Sequence, residues 1–136
     1  MTATRSVDSM DSTEFVDLVA QRADITHPRT RARLITDATL LTLAERLSGG
    51  EAAALAAELP EDLRAPLLRD GEAPAALDAE EFCRRVAERA EVDAATALEG
   101  VRTVFDVMHQ AVSKGVWEHV TTQLPKGYVT MFALPS

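Results

Sequence analysis

The sequence predicts an all-α protein, a helical bundle of two tandem repeats of about 65 residues with pseudo-two-fold symmetry. Three observations carry this prediction. Short segments recur in the same order at a nearly constant offset. The same helix-start pattern opens both copies. Between the starts, apolar residues follow the helical period and not the alternation of strands.

Asp11-Ser12-Thr13-Glu14-Phe15 is echoed by Asp78-Ala79-Glu80-Glu81-Phe82, 67 positions on, and Val19–Ala23 by Val86–Ala90 at the same distance. Further along the offset is 65: Ser48-Gly49-Gly50 matches Ser113-Lys114-Gly115, and Leu59-Pro60 matches Leu124-Pro125. The two extra residues of the first copy fit a loop around Thr26–Thr30.

The first element of each copy is a helix, at 12–23 and 79–90. Asp11 and Asp78 are N-cap residues with Glu14 and Glu81 at capping-box spacing. Met10 with Phe15, and Leu77 with Phe82, stand where a hydrophobic staple belongs. The second element is longest, at about 32–47 and 95–112. Its apolar rows are Leu40, Leu43, Ala44, Leu47 and Val101, Val104, Phe105, Met108, Val112. Thr26 and Asp93 are candidate caps before it. Ser48-Gly49-Gly50 and Ser113-Lys114-Gly115 read as C-terminal stops, because glycine accepts the left-handed conformation. Third helices follow at Glu51–Leu59 and Val116–Leu124, each ending at proline. The fourth segments, Glu61–Arg69 and Lys126–Leu134, read as short helices or turns.

These elements divide the chain into a loose N-terminus (1–10), repeat one (11–69), a linker (70–77) and repeat two (78–134). A unit of about 65 residues is near the lower limit for independent folding. The two are therefore expected to share one interior as a single domain, 11–136, with the long helices central.

Composition narrows the function. The 136 residues are 46% hydrophobic and 26% charged but only 4% aromatic, so a soluble globular protein with an aliphatic core is expected. A net charge of −8 repels nucleic-acid backbones. One cysteine rules out an internal disulfide, and no apolar run reaches a membrane span. The first residues lack the apolar centre of a secretory signal, so the expected compartment is the cytoplasm. The expected partners are a protein or a second copy, with no nucleic acid and no membrane.

Reactive residues do not converge in the sequence. His27, His109 and His119 lack metal-ligand spacing, and the two repeats do not share a histidine. Cys83 aligns with Val16 and reads as a core residue. No catalytic residue, metal or cofactor is expected, and the protein is expected not to be an enzyme. Arg29, Arg31 and Arg33 form the one basic run, able to meet the acidic turn at Asp93 of a neighbour in head-to-tail pairing. Trp117, the sole tryptophan, is a candidate interface anchor, or else caps the core. The alternative is a small apolar ligand held in a cleft between the repeats, lined by Phe105, Met108, Tyr128 and Trp117.

Thr42–Ala52 (TLAERLSGGEA), followed by Leu55–Pro60 and Leu63, closely resembles the signature of the domain of unknown function 2267 family. Its second copy runs from Val112-Ser113-Lys114-Gly115 through Gln123-Leu124-Pro125 to Tyr128 and Phe132, and Phe82–Val92 resembles the family's repeat opening. The likeness spans about residues 11–133. It departs at Lys114 and Trp117, where the family more often has glycine and a small or polar residue. The resemblance implies a small duplicated helical bacterial protein without an assigned activity, so no site residue is carried over. Twelve arginines against two lysines also suit a GC-rich bacterial genome.

Overall fold

Five helices begin on a side-chain cap, and these caps set where the chain turns. The computed structural model describes residues 11–23, 28–68 and 76–134. Asp11 Oδ1 accepts from the Glu14 N–H (2.9 Å), and the Asp11 N–H donates back to Glu14 Oε1 (3.4 Å). Asp78 and Asp93 accept likewise from the N–H groups of Glu81 (2.8 Å) and Thr96 (2.7 Å). Ser48 and Ser113 cap through Oγ, accepting from the N–H groups of Glu51 (3.4 Å) and Val116 (3.3 Å). Each cap satisfies an amide that the helix itself leaves without a partner.

The helices are α1 (Ser12–Ala23), α2 (Pro28–Arg46), α3 (Gly49–Ala57), α4 (Ala79–Ala90), α5 (Ala94–Ala111), α6 (Lys114–Thr122) and α7 (Lys126–Phe132). Two 3₁₀ turns, Glu61–Leu63 and Ala65–Leu67, follow α3. Among the described residues the fold is all-α, with seven helices and no strand.

The Ser-Gly segments differ from expectation. Ser48 and Ser113 are not stops but the starts of α3 and α6, so these helices lie two residues earlier than predicted. Ser48 is extended (φ −66°, ψ 157°), and a one-residue break suffices to turn the chain. No described glycine has positive φ; the left-handed helix ends are Glu91 (φ 59°) and Ala133 (φ 51°). Met10, Thr26, His27, residue 69 at the end of repeat one and residues 70–75 of the expected linker lie outside the described residues. Leu77, at the linker's end, is buried, and its carbonyl accepts from the Tyr128 hydroxyl (2.7 Å).

Helix α2 is central, packed on α1, α4, α5, α3 and the second 3₁₀ turn. It buries Ala32, Ile35, Thr36, Ala38, Thr39, Leu40, Thr42 and Leu43, more than one stripe of its surface. Ile35 meets Gly100 of α5. A β-carbon at Gly100 would lie 2.6 Å from Ile35 Cγ2, so only glycine lets the two axes approach this closely. Helices α3 and α6 pack on one another antiparallel. Gln123, at the end of α6, bonds the N–H (3.0 Å) and Oγ (3.3 Å) of Ser48. Glu58, at the end of α3, accepts from the N–H (2.6 Å) and Oγ (3.0 Å) of Ser113. One cluster of buried apolar side chains draws on all seven helices and both 3₁₀ turns.

Two threonine hydroxyls interrupt that interior without a hydrogen-bond partner among the described residues. They belong to Thr36 and Thr39, fully buried on α2. Val101 and Val104 stand 65 positions on. Thr36→Val and Thr39→Val should each stabilise the fold by about 1 kcal/mol, because an unsatisfied buried hydroxyl leaves and the β-branched shape stays. Urea denaturation measures this; a loss of stability would mean that the hydroxyls are bonded in solution.

Candidate interaction surface

The expected cleft residues are core. Phe105, Met108 and Tyr128 expose no surface, so they bound no open cleft. Phe105 stacks on Phe132 (5.7 Å between centroids), and Tyr128 meets Phe82 (5.4 Å) and Phe132 (5.6 Å) edge to face. Burial pushes the Tyr128 phenol up, and its proton stays on the bond to the Leu77 carbonyl. Of its two expected positions, Trp117 takes the one in the core. It is 3% exposed, with its ring against Phe105 (6.4 Å) and the half-buried His109 (4.9 Å). It fills the interior between α5 and α6 and presents no anchor to a partner.

The basic run is dispersed. The side chain of Arg29 lies outside the described residues. Arg31 faces the acidic turn of its own chain: the Thr96 backbone N–H holds the Asp93 carboxyl below its ordinary value, and the Arg31 charge adds to this. The Arg31 charge thus already acts on Asp93 within one molecule. Arg33 reaches Asp37 through Nε (3.1 Å) and the Asp62 carbonyl through Nη2 (3.0 Å), tying α2 to the first 3₁₀ turn.

Arg33 also edges a groove of about 470 Å³ between α2, the 3₁₀ turns and α4. Leu34, Ala38 and Leu41 form one wall, Ala65 and Pro66 the other, with Asp37, Asp62 and Arg89 at the rim. Leu34 is 46% exposed, which is unusual for a leucine on a central helix. Leu68, just past the second 3₁₀ turn, is also exposed. The groove exists because Pro66 and two 3₁₀ turns occupy the place of a longer helix and leave α2 partly uncovered. The only advance signal was Leu34 and Leu41, two leucines out of step with the core row Leu40, Leu43, Leu47.

A larger depression of about 650 Å³ is lined by Asp11, Ser12, Glu58, Glu61, Asp62, Arg64 and Ser113 among others. Its polar groups are structural: Asp11 caps α1, Glu58 bonds Ser113, and Asp62 accepts from Ser12 Oγ (2.9 Å). The groove on α2 is the better candidate, since apolar side chains are left open there.

Helices α2 and α4 are joined by an ionic network. Glu45 accepts from Arg89 (2.7 Å) and Arg85 (3.1 Å), and Arg89 also donates to Thr42 Oγ1 (2.9 Å). Burial pushes the Glu45 carboxyl up, but bonds and charge from Arg89 and then Arg85 outweigh it and hold the group below its ordinary 4.5. Arg84 and Arg85 hold the half-buried Glu81 carboxyl at about 2. Both folded values are depressed. Their contribution is thus complete above the unfolded value near 4.5 and is lost as pH falls toward about 2. Denaturation midpoints should drop between about pH 6 and pH 3, and Glu45→Gln should shrink that drop. An unchanged drop in E45Q would remove Glu45 from the account.

The other reactive groups are scattered. Burial pushes the Cys83 thiol up from 9.0, toward the unreactive protonated form; Sγ lies 3.9 Å from the Ala94 carbonyl. Among the described residues no three of His, Cys, Asp and Glu gather as metal ligands. No described helix is long and apolar enough to cross a membrane.

The helix order and its capped starts sit on a recognised sequence pattern. The profile of the uncharacterized conserved proteins DUF2267 matches residues 12–131, nearly the whole chain. The chain belongs to this family. As a DUF2267 member it inherits a family description that assigns no activity. No curated protein matches the chain. Within this DUF2267 chain the family-like segment TLAERLSGGEA is structural. It supplies Thr42 and Glu45 to the ionic network, Leu47 to the core and Ser48 as the α3 cap.

Proposed function

We propose that the chain is a non-enzymatic interaction module, made of two copies of one helical unit, that binds a protein partner or itself through the groove on α2. The observation that carries this reading is the groove itself: exposed leucine beside buried core, with polar groups at its rim already engaged in structural bonds. Burial pushes both the Cys83 thiol and the Tyr128 phenol up, toward their protonated forms. The module acts in the cytoplasm, where a single free thiol stays reduced.

Duplication is supported by contacts that repeat across the halves with partners exchanged. Ser48 takes Gln123 and Ser113 takes Glu58, and each member of one pair stands 65 positions from its counterpart in the other. Arg89 of α4 reaches Glu45 of α2. With its amide oriented by its neighbours, Gln110 of α5 accepts from Arg22 of α1 at 2.8 Å in the matching way. Ile35 and Gly100, also 65 apart, touch each other, as equivalent residues do only beside a two-fold axis. The groove breaks this symmetry. At its counterpart, Arg102 bonds the Met131 carbonyl (3.0 Å) and Met131 packs on the core. Divergence of one copy at an otherwise shared position suits a surface that acquired a task.

Capture from a lysate of the source cell tests the reading, with Leu34→Glu as the paired control. The native chain should retain a protein that L34E loses. Identical retention by both chains would separate the groove from the function.

A further inference from the structure

We propose that the groove's occupant is a second copy of this chain, joined α2 against α2 about a two-fold axis beside Leu34. The proposal rests on the interaction-module reading above and names its partner. Each copy carries a net charge of −8, so two copies repel over most approaches. They can meet only where the local charge is balanced, and the rim of this groove is such a place: Arg33 and Arg89 stand against Asp37 and Asp62. A strongly charged partner would find no net field there to recognise.

The pattern is also self-complementary, as a two-fold interface must be. Arg33 and Asp37 lie one turn apart on α2, their side chains 41% and 40% exposed. An antiparallel second α2 centred beside Leu34 brings each Arg33 to the other copy's Asp37. It also sets the two Leu34 side chains together, covering an exposed leucine of each copy. Arg33 then serves both an internal and an external carboxylate, for which its forked guanidinium has the donors. The contact is small, so the dimer is a reversible one.

Sedimentation velocity of the full chain, from micromolar to millimolar concentration, tests this. The native chain should sediment faster as concentration rises, and Leu34→Glu should stay monomeric throughout. Arg33→Asp and Asp37→Arg should each weaken association about tenfold or more. An equimolar mixture of R33D and D37R should restore it, because two acidic side chains at 33 and 37 of one copy then meet two basic ones of the other. Neither chain in that mixture has regained its internal pair, so the recovery can come only from contact between copies. A native chain that is monomeric throughout, an L34E chain that dimerises normally, or a mixture no better than its components would overturn the proposal. If the native chain is monomeric while Leu34-dependent capture of a host protein persists, self-association falls and the module reading stands.

Discussion

Phe82→Ala is expected to destabilise the protein by about 3–5 kcal/mol, the largest effect of any single truncation in this chain. Phe82 has no exposed surface and touches the rings of Phe105 (6.1 Å), Tyr128 (5.4 Å) and Phe132 (5.7 Å). It therefore joins α4 to both α5 and α7. Its removal loses the transfer energy of the ring, leaves a cavity and breaks three aromatic contacts. Total stabilities of such domains are about 5–15 kcal/mol, so much of the margin goes with one side chain. Phe15 is the matching residue of α1 and is as deeply buried, yet it belongs to none of these ring pairs. Phe15→Ala should cost less. Guanidinium denaturation with the slope unchanged measures both; equal losses would show that the ring cluster adds nothing beyond burial.

Gly100→Val is the second large effect, about 2–3 kcal/mol of destabilisation by overpacking. The new side chain has no room, because Ile35 Cγ2 lies 2.6 Å and Cδ1 3.3 Å from where the β-carbon would stand. Ile35 is β-branched on a helix and cannot swing away cheaply. The sharper form of the prediction is a change of sign. Gly100→Ala should destabilise the native chain by about 1 kcal/mol, the clash outweighing the helix propensity gained. In an Ile35→Ala background the same change should stabilise by up to about 1 kcal/mol, since only the propensity remains. Equal effects in both backgrounds would mean that α2 and α5 do not meet at these residues.

Helix positions were legible in the sequence because they depend on neighbours three or four residues away. Asp11, Asp78 and Asp93 each accept from the amide three residues on, as expected of caps, and Asp11 with Glu14 forms both bonds of the box. The rows from Leu40 to Leu47 and from Val101 to Met108 face inward for the same reason. The Ser-Gly segments misled because serine before glycine suits both the end of one helix and the start of the next. With a single residue between helices, the start prevails. For Trp117 the sequence leaves anchor and core cap open, because a nine-residue helix does not reveal which of its faces meets α5, and the structure places it in the core. The Arg31 charge acts on Asp93 from a position more than 60 residues away along the chain, which no local pattern encodes. The groove depends on two 3₁₀ turns passing Leu34 from about 30 residues away along the chain. The sequence there showed a weak fourth element and two leucines out of register, which are its traces and not its shape.

Everything above depends on both halves closing on one interior. Differential scanning calorimetry of the full chain tests that most directly. A shared core unfolds as a unit: one heat-absorption peak, with calorimetric and van't Hoff enthalpies equal, shifted down intact by Gly100→Val. Two separable peaks, with G100V moving only one of them, would contradict it.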